Sequence, residues 1–212
     1  AAVQTAALVL HSLCWGAEPR HVQTIVACQG IPVLVNLLSA DPPLNHLALE
    51  CIWRIINLPP PTPKTDFCRL LARGKAARKL VKLLDNAFKE YQHRQTKAIA
   101  HAGWFDVSVQ HADKVASIFL LFSQADRVVK EDMAQQDVLK ALLKIVSTKM
   151  DDLQHILAGA SIKILKALRH LSGDPNSMMQ LQQASAVQHL VPLLSHHPTQ
   201  SNAASEVQNQ VM

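Results

Sequence analysis

Apolar positions along this chain recur with a helical rhythm rather than a strand rhythm. The clearest signal is a six-residue block, Val33-Leu34-Val35-Asn36-Leu37-Leu38. It returns as Lys79-Leu80-Val81-Lys82-Leu83-Leu84, as Ala141-Leu142-Leu143-Lys144-Ile145-Val146 and as His189-Leu190-Val191-Pro192-Leu193-Leu194. Successive copies begin 46, 62 and 48 residues apart. The outer two spacings fit the ~40–47-residue period of stacked helical repeats, and the middle one implies an insertion of roughly fifteen residues.

The pattern predicts a short helix before each block, over His21 to Gln29, Asp66 to Arg73, Val128 to Gln135 and Asn176 to Gln183. A longer apolar-periodic helix follows the block, over Leu44 to Asn57, Ala112 to Ser123 and Leu153 to Leu171, and Ala2 to Cys14 reads the same way. Asp41-Pro42-Pro43 and Lys149 to Asp152 supply turns between block and long helix. Short, medium and long helices in that order make an armadillo unit, whereas a two-helix HEAT unit lacks the short element. The expected fold is all-α: one armadillo-type right-handed superhelical solenoid over 1–212, with about four repeats and a partial fifth. Its repeats run roughly 1–40, 44–91, 111–149 and 151–196, with an insertion at 92–110 and the next repeat starting at 203–212.

Within the last long helix Leu157, Ser161, Ile164, Leu165, Leu168 and Leu171 share one side, and Lys163, Lys166 and His170 share the other. Gly173-Asp174-Pro175 is its expected stop. Pro59 to Pro63 reads as a stiff solvated connector containing a P-x-x-P spacing and a Thr62-Pro63 step. In the insertion, Trp104 and Phe105 are expected to tuck against the solenoid. No polar capping repeat closes either end, and Ala203 to Met212 looks like a helix start. The chain therefore reads as a fragment of a longer polypeptide.

Composition narrows the function. Apolar residues make up 49% and aromatics only 4%, which favours helix packing over a β-sandwich. No apolar run approaches the ~20 residues of a membrane span. Cys14, Cys28, Cys51 and Cys68 each sit in an apolar helical pattern, and they read as buried free thiols in a reducing compartment. The eleven histidines are dispersed, the adjacent His196 and His197 included, so no metal site and no cofactor is expected. Phosphate-binding glycine loops, nucleophile elbows and the kinase H-R-D and D-F-G motifs are all missing, so no catalytic residue is assigned to this chain.

Binding remains. Lys163, Lys166 and His170, with Lys114, form one candidate partner surface, and Lys75, Arg78, Lys79 and Lys82 form a second basic surface on a medium helix. With a net charge of +5 these would steer an acidic protein surface, and the lack of interleaved aromatics disfavours nucleic acid. His46, Glu50, Trp53 and Asn57 make a long-helix stripe whose Trp53-x-x-x-Asn57 pair resembles those with which importin-α holds basic peptides. The equivalent pairs, Ser117 with Leu121 and Lys166 with His170, break that pattern, and a cationic groove would repel a basic peptide.

Lys114 to Asp126 (KVASIFLLFSQAD), then Val129-Lys130, resembles a segment in the C-terminal region of the fungal septation-initiation and mitotic-exit kinases, relatives of plant MAP kinase kinase kinase epsilon. Ile164 to Ser172, Leu181 to Val187 and Glu206-Val207 resemble the following segments, in order, across residues 111–212. The resemblance implies a non-catalytic region of a serine/threonine kinase that a small Ras-like GTPase recruits to the spindle pole for cytokinesis. It also implies a cytoplasmic, spindle-pole-body location and septation-network partners. A generic armadillo adaptor for an acidic peptide is the alternative, and the sequence leaves a homodimer open.

Overall fold

The computed structural model describes residues 2–15, 19–59, 63–96, 107–147 and 157–195. Among these are twelve helices and no strand, an all-α armadillo-type fold. They belong to two compact units, Ala1–Leu80 and Val81–Met212.

The first unit holds α1 (Ala2–Trp15), α2 (Pro19–Ala27), α3 (Gly30–Leu37), α4 (Leu44–Ile56), α5 (Lys64–Arg73) and the start of α6 (Ala76–Thr96). Its two long helices, α1 and α4, lie along one another, and α3 packs on both α4 and α5. Ile31, Leu34 and Val35 of α3, Leu49, Ile52, Ile55 and Ile56 of α4, and Leu71 of α5 fill the core. The second unit continues α6 and adds α7 (Val107–Gln124), α8 (Arg127–Met133), α9 (Gln136–Ser147), α10 (Ala158–Ser172), α11 (Pro175–Gln183) and α12 (Ala186–Ser195). Here the long helices α7 and α10 pair, and α9 packs against α10, α11 and α12. The six apolar-side positions expected on α10 are all buried, and so are Ala160, Ile162 and Ala167. The buried stripe is wide because α10 packs on three helices, α7, α9 and α11.

Three of the four short-to-medium helix turns share a backbone device. Gln29, Lys75 and Ser185, each just before a medium helix, take positive φ of 55°, 57° and 59°. A non-glycine residue there costs about 1 kcal/mol. The neighbouring glycines serve a different end. A Cβ on Gly30 would stand 2.8 Å from the Ile25 carbonyl oxygen, and one on Gly74 would stand 2.9 Å from Val35 Cγ1. Glycine is required where helices approach, while the turn itself is left to polar residues.

The stop after α10 works through caps. Gly173 stays right-handed at φ −77°. Asp174 then caps α11, accepting from the Ser177 amide at 2.9 Å and its hydroxyl at 2.8 Å, with Pro175 in the first turn. Asp126 caps α8 in the same way through Val129 N, at 3.2 Å.

Two expectations change. Helix α6 runs to Thr96 and α7 begins at Val107, so both reach into the insertion expected at 92–110. The polar run Gln92 to Thr96 carries no Gly or Pro stop, and the helix continues through it. Cys28 is exposed rather than buried, because α2 ends at Ala27 and the thiol lies on the turn. Cys14, Cys51 and Cys68 are buried. Trp104, Phe105, Thr62, Lys149 to Asp152, His196, His197 and 203–212 lie outside the described residues.

Candidate interaction surfaces

The first sequence-predicted surface lies on the α7/α10 pair. Lys163 is no free cation: its Nζ reaches Asp113 Oδ1 at 2.6 Å and Ser117 Oγ at 2.9 Å, tying the two long helices together. The two side chains remain 31% and 45% exposed, so the pair is partly screened. It also neutralises part of the charge assigned to this face. Lys114 and Lys166 are half-buried, and His170 is exposed with its Nε2 3.4 Å from Gln124 Nε2. The structure therefore places Lys163, Lys166, His170 and Lys114 on one packed helix pair, with Lys163 engaged within it.

On the second surface, Lys75 and Arg78 are exposed at the start of α6, and Lys82 is exposed further along the helix. Lys79 is tied down, its Nζ 2.9 Å from Asn36 Oδ1 on α3. His189 plays the matching part on α12, its Nδ1 3.2 Å from Ser147 Oγ on α9. Both residues open a copy of the recurring apolar block, and each reaches back to the preceding medium helix. Gln136 does comparable work between α9 and α11, donating to the Gln180 carbonyl and its side-chain oxygen, both at 2.8 Å. First-position polar residues of the block thus belong to repeat stacking.

The Trp53–Asn57 pair is also absorbed locally. Asn57 Nδ2 donates to the Trp53 carbonyl at 2.8 Å, which caps α4 and engages one of the amide's two N–H groups. Beneath this face Cys14 and Cys51 meet between α1 and α4. Hydrogen bonding to Cys14, with burial added, pushes the Cys51 thiol far up, so it stays protonated and serves as packing.

One cluster escapes the sequence pattern, because the helix predicted there stops at Cys14. Trp15 ends α1 and is 59% exposed. The His11 ring stacks on it with centroids 5.4 Å apart and planes 22° apart, and the Arg54 guanidinium of α4 stands 5.9 Å from the ring centroid. The His11-x-x-x-Trp15 spacing, one helical turn, was the available signal.

Among the described residues no group of three or more His, Cys, Asp or Glu could hold a metal ion, and no helix is long and apolar enough to cross a membrane. No family model matches the chain. It is similar to the cytokinesis protein sepH of Aspergillus niger, 29% identical over 177 residues, covering 82% of this chain and 12% of that protein. It is also similar to MAP3K epsilon protein kinase 1 of Arabidopsis thaliana, 39% identical over 83 residues, covering 37% of this chain and 6% of that one. The chain thus spans about an eighth or less of these two curated relatives. Among solved structures it is similar to computationally designed armadillo repeat proteins for modular peptide recognition, with a TM-score of 0.62 and 16% identity over 98% of this chain and 73% of that chain. The armadillo-type fold is therefore supported by chain pattern, helix packing and structural likeness together.

Proposed function

We propose that this chain is a non-catalytic protein-binding and localising module of a protein kinase acting in cytokinesis, and that it binds a small Ras-like GTPase at the spindle pole. The observation that carries the proposal is the similarity to sepH across 82% of the chain, on an all-α armadillo-type fold. Lys166, Lys114 and His170 on α7 and α10 are the residues assigned to the acidic face of the GTPase, with Lys75, Arg78 and Lys82 as the second surface.

Because Lys163→Glu would set two carboxylates together at Asp113, the informative variant is Lys166→Glu with His170→Glu. The test is binding of the purified GTPase, loaded with a GTP analogue or GDP, to this chain. Nucleotide-dependent binding that the double variant weakens at low salt, and less so at high salt, supports the proposal. Unchanged affinity in the double variant removes this face from it.

A second reading, an adaptor for an acidic segment, is favoured by charge placement. Residues 1–80 contain eight Lys and Arg against four Asp and Glu, a net +4 of the chain's +5.

A further inference from the structure

A tryptophan on a packed helix ordinarily buries most of its large surface, and one left outside is a ready contact area. Trp15 is 59% exposed, yet its ring is not adrift. His11, one turn earlier on α1, stacks on it at 5.4 Å, and Arg54 reaches it from α4 at 5.9 Å. The ring is thus pre-positioned by both long helices of the first unit, and little ordering is left to complete on binding. Among the described residues no carboxylate is paired with Arg54. A planar guanidinium takes a carboxylate with two parallel hydrogen bonds, and Trp and Arg are the side chains that most often carry binding energy. Glu50 lies one turn away on α4, but the unit as a whole keeps its net +4.

We infer that Trp15 and Arg54, steadied by His11, form an anchoring site for an acidic linear segment of a partner protein. A carboxylate of the segment sits on the Arg54 guanidinium, and an apolar side chain beside it covers the Trp15 ring. A basic peptide does not fit, since Arg54 repels it and the unit around it carries a net +4. The inference rests on reading the chain as an interaction module and does not depend on the GTPase.

The experiment is fluorescence anisotropy of a labelled octapeptide, Asp-Glu-Phe-Asp-Glu-Leu-Asp-Glu, titrated with the intact 212-residue chain at low salt. A peptide with Lys at every acidic position and an oligothymidylate are run beside it. The acidic peptide should bind and the basic one should not. Trp15→Ala and Arg54→Gln should each weaken binding about tenfold, with circular dichroism melting unchanged, and Trp15→Phe should keep most of it. Equal binding of the two peptides overturns the inference, as does acidic-peptide binding that survives both variants. Oligothymidylate binding lost in the same variants, without peptide binding, overturns it in favour of a base-stacking surface. No acidic-peptide binding by the parent chain, with nucleotide-dependent GTPase binding intact, refutes this inference and leaves the GTPase proposal standing.

Discussion

At the scale of single residues, the turns before the medium helices divide labour between adjacent positions. Lys75 carries the positive φ, and Gly74 accommodates Val35. Lys75→Gly should therefore stabilise the chain by about 0.5–1 kcal/mol, the left-handed penalty less the entropy glycine adds to the unfolded chain. Gly74→Ala should destabilise it by about 1–3 kcal/mol through overpacking at the α3/α5 contact. Urea denaturation of the two variants checks both signs. Asp174 makes a pH prediction. Its hydrogen bonds from the Ser177 amide and then the Ser177 hydroxyl hold its carboxyl below the usual range. The folded chain therefore releases that proton more readily than the unfolded one. The contribution is present above the usual carboxylate pKa and is lost as pH falls through the depressed one. Asp174→Ala should lose less stability than the parent below about pH 4, as read by urea midpoints across an acid series.

At the scale of elements, apolar periodicity made most helices legible in the sequence, because a one-sided stripe is what a stacked helix must bury. The six positions expected inside on α10 are inside. What periodicity could not show is that a cation on the polar side also serves packing. Lys163 lies opposite the stripe and still bridges α10 to α7, because a long aliphatic stem lets its ammonium reach a neighbour's carboxylate. Lys79 and His189 do likewise between medium helices. These partners lie more than forty residues away, beyond any local pattern. Trp15 escaped for a different reason: the predicted helix ends one residue short of it, at Cys14, and its exposure depends on how α4 packs on α1. Apolar burial on α7 should dominate stability over the α7/α10 ion pair. Phe119→Ala, at a fully buried position, should cost about 3–5 kcal/mol, whereas Lys163→Ala should cost about 1 kcal/mol or less. Chemical denaturation of the two variants separates packing from charge.

At the scale of the whole molecule, repeat spacing and helix order led to the armadillo-type fold, since stacked units repeat their apolar face with a fixed period. The partner was less legible, because repeat stacking and partner binding draw on the same polar faces of the helices. Charge placement is the property that survives this ambiguity. Residues 1–80 hold +4 of the chain's +5, so an acidic partner meets the two units unequally. The most direct test of the chain as a GTPase-binding module is isothermal titration calorimetry of the 212-residue chain with the small Ras-like GTPase of the septation pathway. Saturable binding that differs between the GTP-analogue and GDP forms, and that weakens in the Lys166→Glu/His170→Glu variant, is the predicted result. No binding of either nucleotide form at low salt, with the chain folded by circular dichroism, would contradict it.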